Sequence, residues 1–233
     1  MQKHRIRCFR RCVLQLSLIV SVCVLTSLSC NLFSADPSGG SESPLMDFLH
    51  YIPDTSEYRQ YLSYGNAANW YAAWEIARPE SVQALLDSNP ETEKPYLLNL
   101  LPRQTTPPFS LRTEFMITED RRGLLGFDLI NLDRYLETGE PPRTITVVEF
   151  SFDHQQIADA LTGLGYQAQE MSDGVLYHIS GDNLVDLKSP IRTNQMANLN
   201  RILLLDDKMI IGSATDVVQI SLLPLEASLH REF

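Results

Sequence analysis

Apolar residues recur at helical spacing over the first half of the body of this chain and in strand-like runs over the second. In NAANWYAAWEIARP, Ala67, Trp70, Trp74 and Ala77 recur three or four apart, Asn66 suits a cap and Pro79 marks a stop. SEYRQYLSY brings Tyr58, Tyr61 and Leu62 onto one helical face. PESVQALLDSNP does the same with Val82, Leu85 and Leu86, and PYLLNLLP adds a short, strongly apolar segment. Further on, SLRTEFMIT leans towards helix. NLDRYLETG predicts a short helix with Asn131 as cap and Gly139 just past its end.

From Arg143 the pattern changes. TITVVEF is β-branched and predicts a buried strand. FDHQQIADALTGLGY predicts a helix, with Asp153 and Gln156 at capping-box spacing and Phe152 and Ile157 placed to pack as a staple. YQAQEM and VLYHIS flank Asp173-Gly174, a hairpin signal, and RILLLDDKMIIGS predicts a second hairpin. SATDVVQISLL follows as a helix whose start is marked by Ser213 and Asp216. The order β-α-β-β, then β-β-α, predicts an α+β fold. Its N-terminal part, 46–142, reads as helical, and 143–233 carries an antiparallel or mixed sheet with helices on one face. The last helix meets Pro224 and EASLHREF adds no closing strand. Two endings therefore stay open, a complete domain or the front part of a longer protein.

Ahead of this body the composition is different. The first 29 residues carry five basic groups and no acidic one, then an apolar run from Val13 to Leu28 and small residues at Ser27 and Ser29. That is the three-part layout of an export signal, and the run is short for a membrane span of roughly 20 residues. All four cysteines (Cys8, Cys12, Cys23, Cys30) lie in the first 30 positions. With Cys30 directly after Ser29, the stretch resembles the signal peptides of bacterial lipoprotein precursors, although Ser27 and Leu28 depart from the usual leucine and small residue at those places. The resemblance covers this segment alone. It implies cleavage before Cys30, a diacylglycerol on its thiol, and a protein anchored to the cell membrane on its extracytoplasmic face. The expected layout is a signal peptide at 1–29, a tether at 30–45 and a globule from 46. SADPSGGSESP, Ser34 to Pro44, is small and polar, and about 11 such residues reach roughly 18 Å.

Charge narrows the partners. Without the signal, 14 basic residues face 29 acidic ones, a net −15. So acidic a body repels phosphate backbones and anionic headgroups, which excludes nucleic acid as the expected ligand.

Candidate chemistry is sparse. GLGYQA fits the spacing of a dinucleotide loop, but a helix precedes it and a strand follows, the reverse of what phosphate binding needs. DSNPETE lacks the glycine and glutamate of a calcium loop. Glu149 and Asp153 beside His154 make a carboxylate pair that hydrolysis would require in a cleft. The histidines are scattered, and neither a nucleophile elbow nor a phosphate-binding loop occurs, so no catalytic residue, metal site or cofactor is expected. Aromatic residues cluster instead, with eight of the 20 falling between Phe48 and Trp74. Tyr64 and Tyr71 are expected to face outward and bind a ligand, together with Arg192 in the long polar loop Gly181–Asn200. The expectation is a non-catalytic, lipid-anchored module that binds an envelope protein or a saccharide, the alternative being a small cell-surface hydrolase.

Overall fold

The computed structural model describes residues 43–91, 101–102, 105–116, 124–186, 197–222, 224 and 227–232. All of them belong to one compact unit, Ser43–Phe233. Its centre is a seven-stranded sheet in the order β1-β2-β3-β7-β6-β5-β4, with every neighbouring pair antiparallel. The strands are β1 (Leu62–Asn66), β2 (Arg134–Thr138), β3 (Ile145–Glu149), β4 (Gln167–Glu170), β5 (Val175–His178), β6 (Arg201–Leu204) and β7 (Lys208–Gly212). The fold is α+β.

The second half forms as its sequence predicts, β3-α-β4-β5 and then β6-β7-α. The helix after β3 spans His154–Gly163, and the Asp153 carboxylate accepts from the backbone N–H of Gln155 and Gln156. Its far end closes with Tyr166 N–H bonded to Leu161 O, around Gly165 at φ +89°. At the tip of the β4–β5 hairpin, a side chain at Gly174 would overlap the carbonyl oxygen of Leu204, so the close approach of β6 demands glycine there.

The first half differs from expectation. Residues 46–142 are not helical throughout, because they supply two strands. SEYRQYLSY makes one turn of helix, α2 (Ser56–Arg59), and then becomes β1. NLDRYLETG becomes β2, preceded by a 3-10 turn at Leu129–Asn131 that Asp128, not Asn131, caps. The reason lies in burial on both faces. Leu136 and Thr138 point to one side of the sheet and Tyr135 and Glu137 to the other, all enclosed, so no alternation of apolar and polar residues survives to mark a strand. PYLLNLLP lies mostly outside the described residues.

Helices cover both faces of the sheet rather than one. On one side, Ile157 and Leu161 of the 154–163 helix join Leu111, Phe127 and Leu129 over Tyr135, Val148, Ile202, Met209 and Ile211. On the other, Phe48 and Leu49 of α1 (Pro44–Leu49), Tyr58, and Val217 and Val218 of the helix Thr215–Gln219 pack on Leu136, Val147, Leu176, Leu203 and Ile210. Each aliphatic side chain so enclosed contributes about 2 kcal/mol. The Thr215–Gln219 helix is capped from outside its own segment. Asp182 accepts from Thr215 N–H at 2.8 Å, and the expected marker Ser213 instead bonds Asn183 at 2.8 Å.

Candidate functional site

Where β1, β2 and β3 meet α1, the sheet carries a row of polar residues in register. Asn66 faces Arg134, Arg134 faces Glu149, and Glu149 faces Lys208. Arg134 and Lys208 both approach Glu149, the latter at 3.8 Å, and Lys208 Nζ also reaches Asp47 at 3.1 Å and Asp207 at 2.6 Å. Beneath the row lies the fully buried ring of Phe48, with the Arg134 guanidinium 5.9 Å and the Lys208 ammonium 6.0 Å from its centre. Burial alone would push the Lys208 ammonium down. Its hydrogen bonds to Asp207 and Asp47 outweigh that and raise it above its ordinary value.

Against this row opens a groove of about 670 Å³. Its walls are Ser43–Leu45 at the start of α1, Tyr64 and Asn66 of β1, and Ala68, Asn69 and Ala72 of the helix α3 (Ala67–Ala73). Asp133, Arg134 and Glu149 close it. Tyr64 is half-buried, packs edge-on against Phe48 with 6.0 Å between centroids, and accepts a hydrogen bond from Asn66 Nδ2 at 3.3 Å. Burial raises its hydroxyl above the ordinary tyrosine value, against the opposing pull of Asn66 and Arg134, so at neutral pH it remains a donor.

Tyr71 faces inward, contrary to expectation. It is 8% exposed, meets Trp70 edge-on, and its ring lies 5.8 Å below the Arg78 guanidinium. Arg78 in turn donates to Ile130 O at 2.8 Å and to Asp133 at 2.5 Å. Asn66 caps α3 as expected, accepting from Asn69 N–H at 2.9 Å, but the helix ends at Ala73 and buries Ala67 and Tyr71 rather than a Trp70–Trp74 stripe. The tie from Arg78 back to Asp133 draws the chain off the helical path well before Pro79. Arg192 and Cys30 lie outside the described residues.

The carboxylates weighed for hydrolysis are separated by their jobs. Glu149 belongs to the polar row, Asp153 caps its helix, and His154 Nε2 lies 3.1 Å from Asp206 O. In the groove, Glu149 is paired with Arg134 and Asp133 with Arg78. What remains for a ligand is a set of hydrogen-bonding groups: the Tyr64 hydroxyl, the Asn69 amide and the rim of an ion pair. Sequence reasoning missed Asp133, Arg134, Asn69 and Lys208. The available signal was positional, since Arg134 opens β2, Glu149 closes β3 and Lys208 opens β7, which places all three at the same end of neighbouring strands. It could be read only once RYLET was known to be a strand.

Among the described residues no group of three or more histidine, cysteine or acidic side chains is placed to hold a metal ion, and no helix is long and apolar enough to cross a membrane. Comparison with protein families, with curated proteins and with solved structures finds no match to this chain.

Proposed function

We propose that the protein is a lipid-anchored, extracytoplasmic binding module, attached to the membrane through an acylated Cys30, whose groove at Tyr64 takes an envelope saccharide. The observation that carries this reading is the export-type N-terminus closing on Ser29-Cys30, with all cysteines spent there and a compact unit starting at Ser43. For the ligand, the groove combines an aromatic ring, a neutral hydroxyl and two asparagines with carboxylates already neutralised by arginines. Such a lining suits a polyhydroxylated, uncharged molecule. The acidic body disfavours a polyanion. Engagement of both groove carboxylates in ion pairs weighs against the hydrolase alternative, which needs one acid free to give up a proton.

Mass spectrometry of the N-terminal peptide from the membrane fraction tests the anchor. A diacylglyceryl-modified Cys30 is expected, and an intact Met1 in the soluble fraction would end this reading. Calorimetric titration with N-acetylglucosamine oligomers tests the groove. Binding that weakens at least tenfold in Tyr64→Ala and Asn69→Ala is expected. No heat with any oligomer would exclude this ligand.

A further inference from the structure

Directly after the buried part of α3, the six residues Ala72-Ala73-Trp74-Glu75-Ile76-Ala77 are all exposed, and five of them are apolar. Trp74 is 65% and Ile76 49% accessible. Runs of this kind are avoided on a surface unless something covers them. The run is also held in a defined shape. Ile76 N–H bonds Tyr71 O at 3.1 Å and Glu75 N–H bonds Ala72 O at 3.2 Å. This closure puts Glu75 at φ +53°, where glycine is the unstrained choice.

We infer that this turn is a membrane-contact surface, with Trp74 and Ile76 seated in the lipid interface. The inference rests on the anchored reading above. Twelve residues separate Cys30 from Ser43, the first residue of the compact unit. Ser43 lines the groove together with Ala68, Asn69 and Ala72, so the chain joins the domain beside the helix that leads into Trp74. By helical periodicity Trp70 and Trp74, four apart with rings 6.2 Å between centroids, lie across α3 from the groove. The separation is about one helix width, roughly 10 Å. A tether of this length reaches roughly 20 Å, enough to let that side rest on the bilayer while the groove stays open.

The chemistry fits a lipid interface better than an anionic surface. Tryptophan favours the headgroup level. The nearby cation, Arg78, is spent on Asp133, while Glu75 interrupts the run between Trp74 and Ile76 and Glu80 follows it. The contact is therefore apolar and insensitive to salt, because no charge attraction supports it.

The test uses the full chain isolated from membranes and reconstituted in phosphatidylcholine vesicles with or without brominated acyl chains. Trp70→Phe leaves Trp74 as the single reporter, since the chain has two tryptophans. The expected result is blue-shifted Trp74 emission, quenched at least twofold by brominated lipid and unchanged in 1 M salt. The wild-type chain should change in the same direction, which covers any misfolding of the variant. An acylated, vesicle-bound chain whose tryptophan emission stays water-like and unquenched overturns this contact while leaving the anchor intact. A blue shift that depends on protein concentration, in vesicle-free detergent as well, also overturns it and assigns the surface to a second copy. Recovery of Cys30 as a free thiol in a chain that does not bind vesicles removes the anchor and this contact together.

Discussion

The carboxylate of Glu137 accepts a hydrogen bond from the backbone N–H of Ser110 at 2.8 Å, with both residues buried in the same interior. Phe109 N–H adds a second bond at 3.2 Å and the Thr146 hydroxyl a third at 3.2 Å. A charge from the middle of the sheet thus occupies the amino end of the helix Phe109–Met116, where unpaired amides need an acceptor. At 2% exposure Glu137 has no water to replace these partners. Glu137→Ala is expected to cost about 3 kcal/mol, because buried amides and a hydroxyl are left without their acceptor. Glu137→Gln, which keeps one acceptor oxygen, should cost about half as much. Urea unfolding measures both. Wild-type stability in the Ala variant would show that the carboxylate does not organise this helix.

Gly65 faces Tyr135 across β1 and β2, and a Cβ at Gly65 would overlap the Tyr135 ring. The ring lies over the glycine, an arrangement that lets an aromatic residue cover a weak point in an edge strand. Gly65→Ala is expected to destabilise by about 2 kcal/mol, since the ring must leave its buried position. It should also loosen the Tyr64 side of the groove. Amide exchange across β1 that matches the wild type would contradict this.

Two helices close with the same pair of backbone bonds, yet one uses Gly165 at the left-handed position and the other uses Glu75. A side chain at positive φ costs about 1 kcal/mol. Glu75→Gly should therefore raise stability by roughly 0.5 kcal/mol after the entropy of a freer unfolded chain is deducted. Gly165→Ala should lower it by a similar or larger amount. A destabilised Glu75→Gly protein would mean that the Glu75 side chain makes a contact that outweighs its strain.

Stability should fail on the alkaline side. Burial raises the hydroxyls of Tyr51, Tyr58 and Tyr64 above 10.0, and hydrogen bonds to Asp207 and Asp47, overcoming burial, raise Lys208 above 10.5. Each group holds its proton more tightly folded than unfolded. Its contribution is therefore complete below the unfolded value and is lost as pH rises through the folded one. Urea midpoints, as far as these groups govern them, should be level up to about pH 10 and fall beyond it. The fall should be shallower in Tyr51→Phe and in Lys208→Met. An unaltered alkaline slope in both variants would remove these two groups as its source.

The sequence by itself determined the acidic body and the order of elements from β3 to the Thr215–Gln219 helix. Their signals are contiguous: β-branched runs, the Asp153 cap, and the glycine at 165 each act on residues a few places away. Only the tertiary structure decided the rest. RYLET became a central strand because Glu137 finds Ser110, 27 residues earlier, and Thr138 donates to Tyr58 O, 80 residues earlier. Tyr71 turned inward because Arg78 is drawn to Asp133, 55 residues on. The groove gathers Ser43, Tyr64, Asn69, Asp133 and Glu149 from four separate segments. Local periodicity carries no trace of partners so distant, since a polar residue reads as exposed until the group that satisfies it is known.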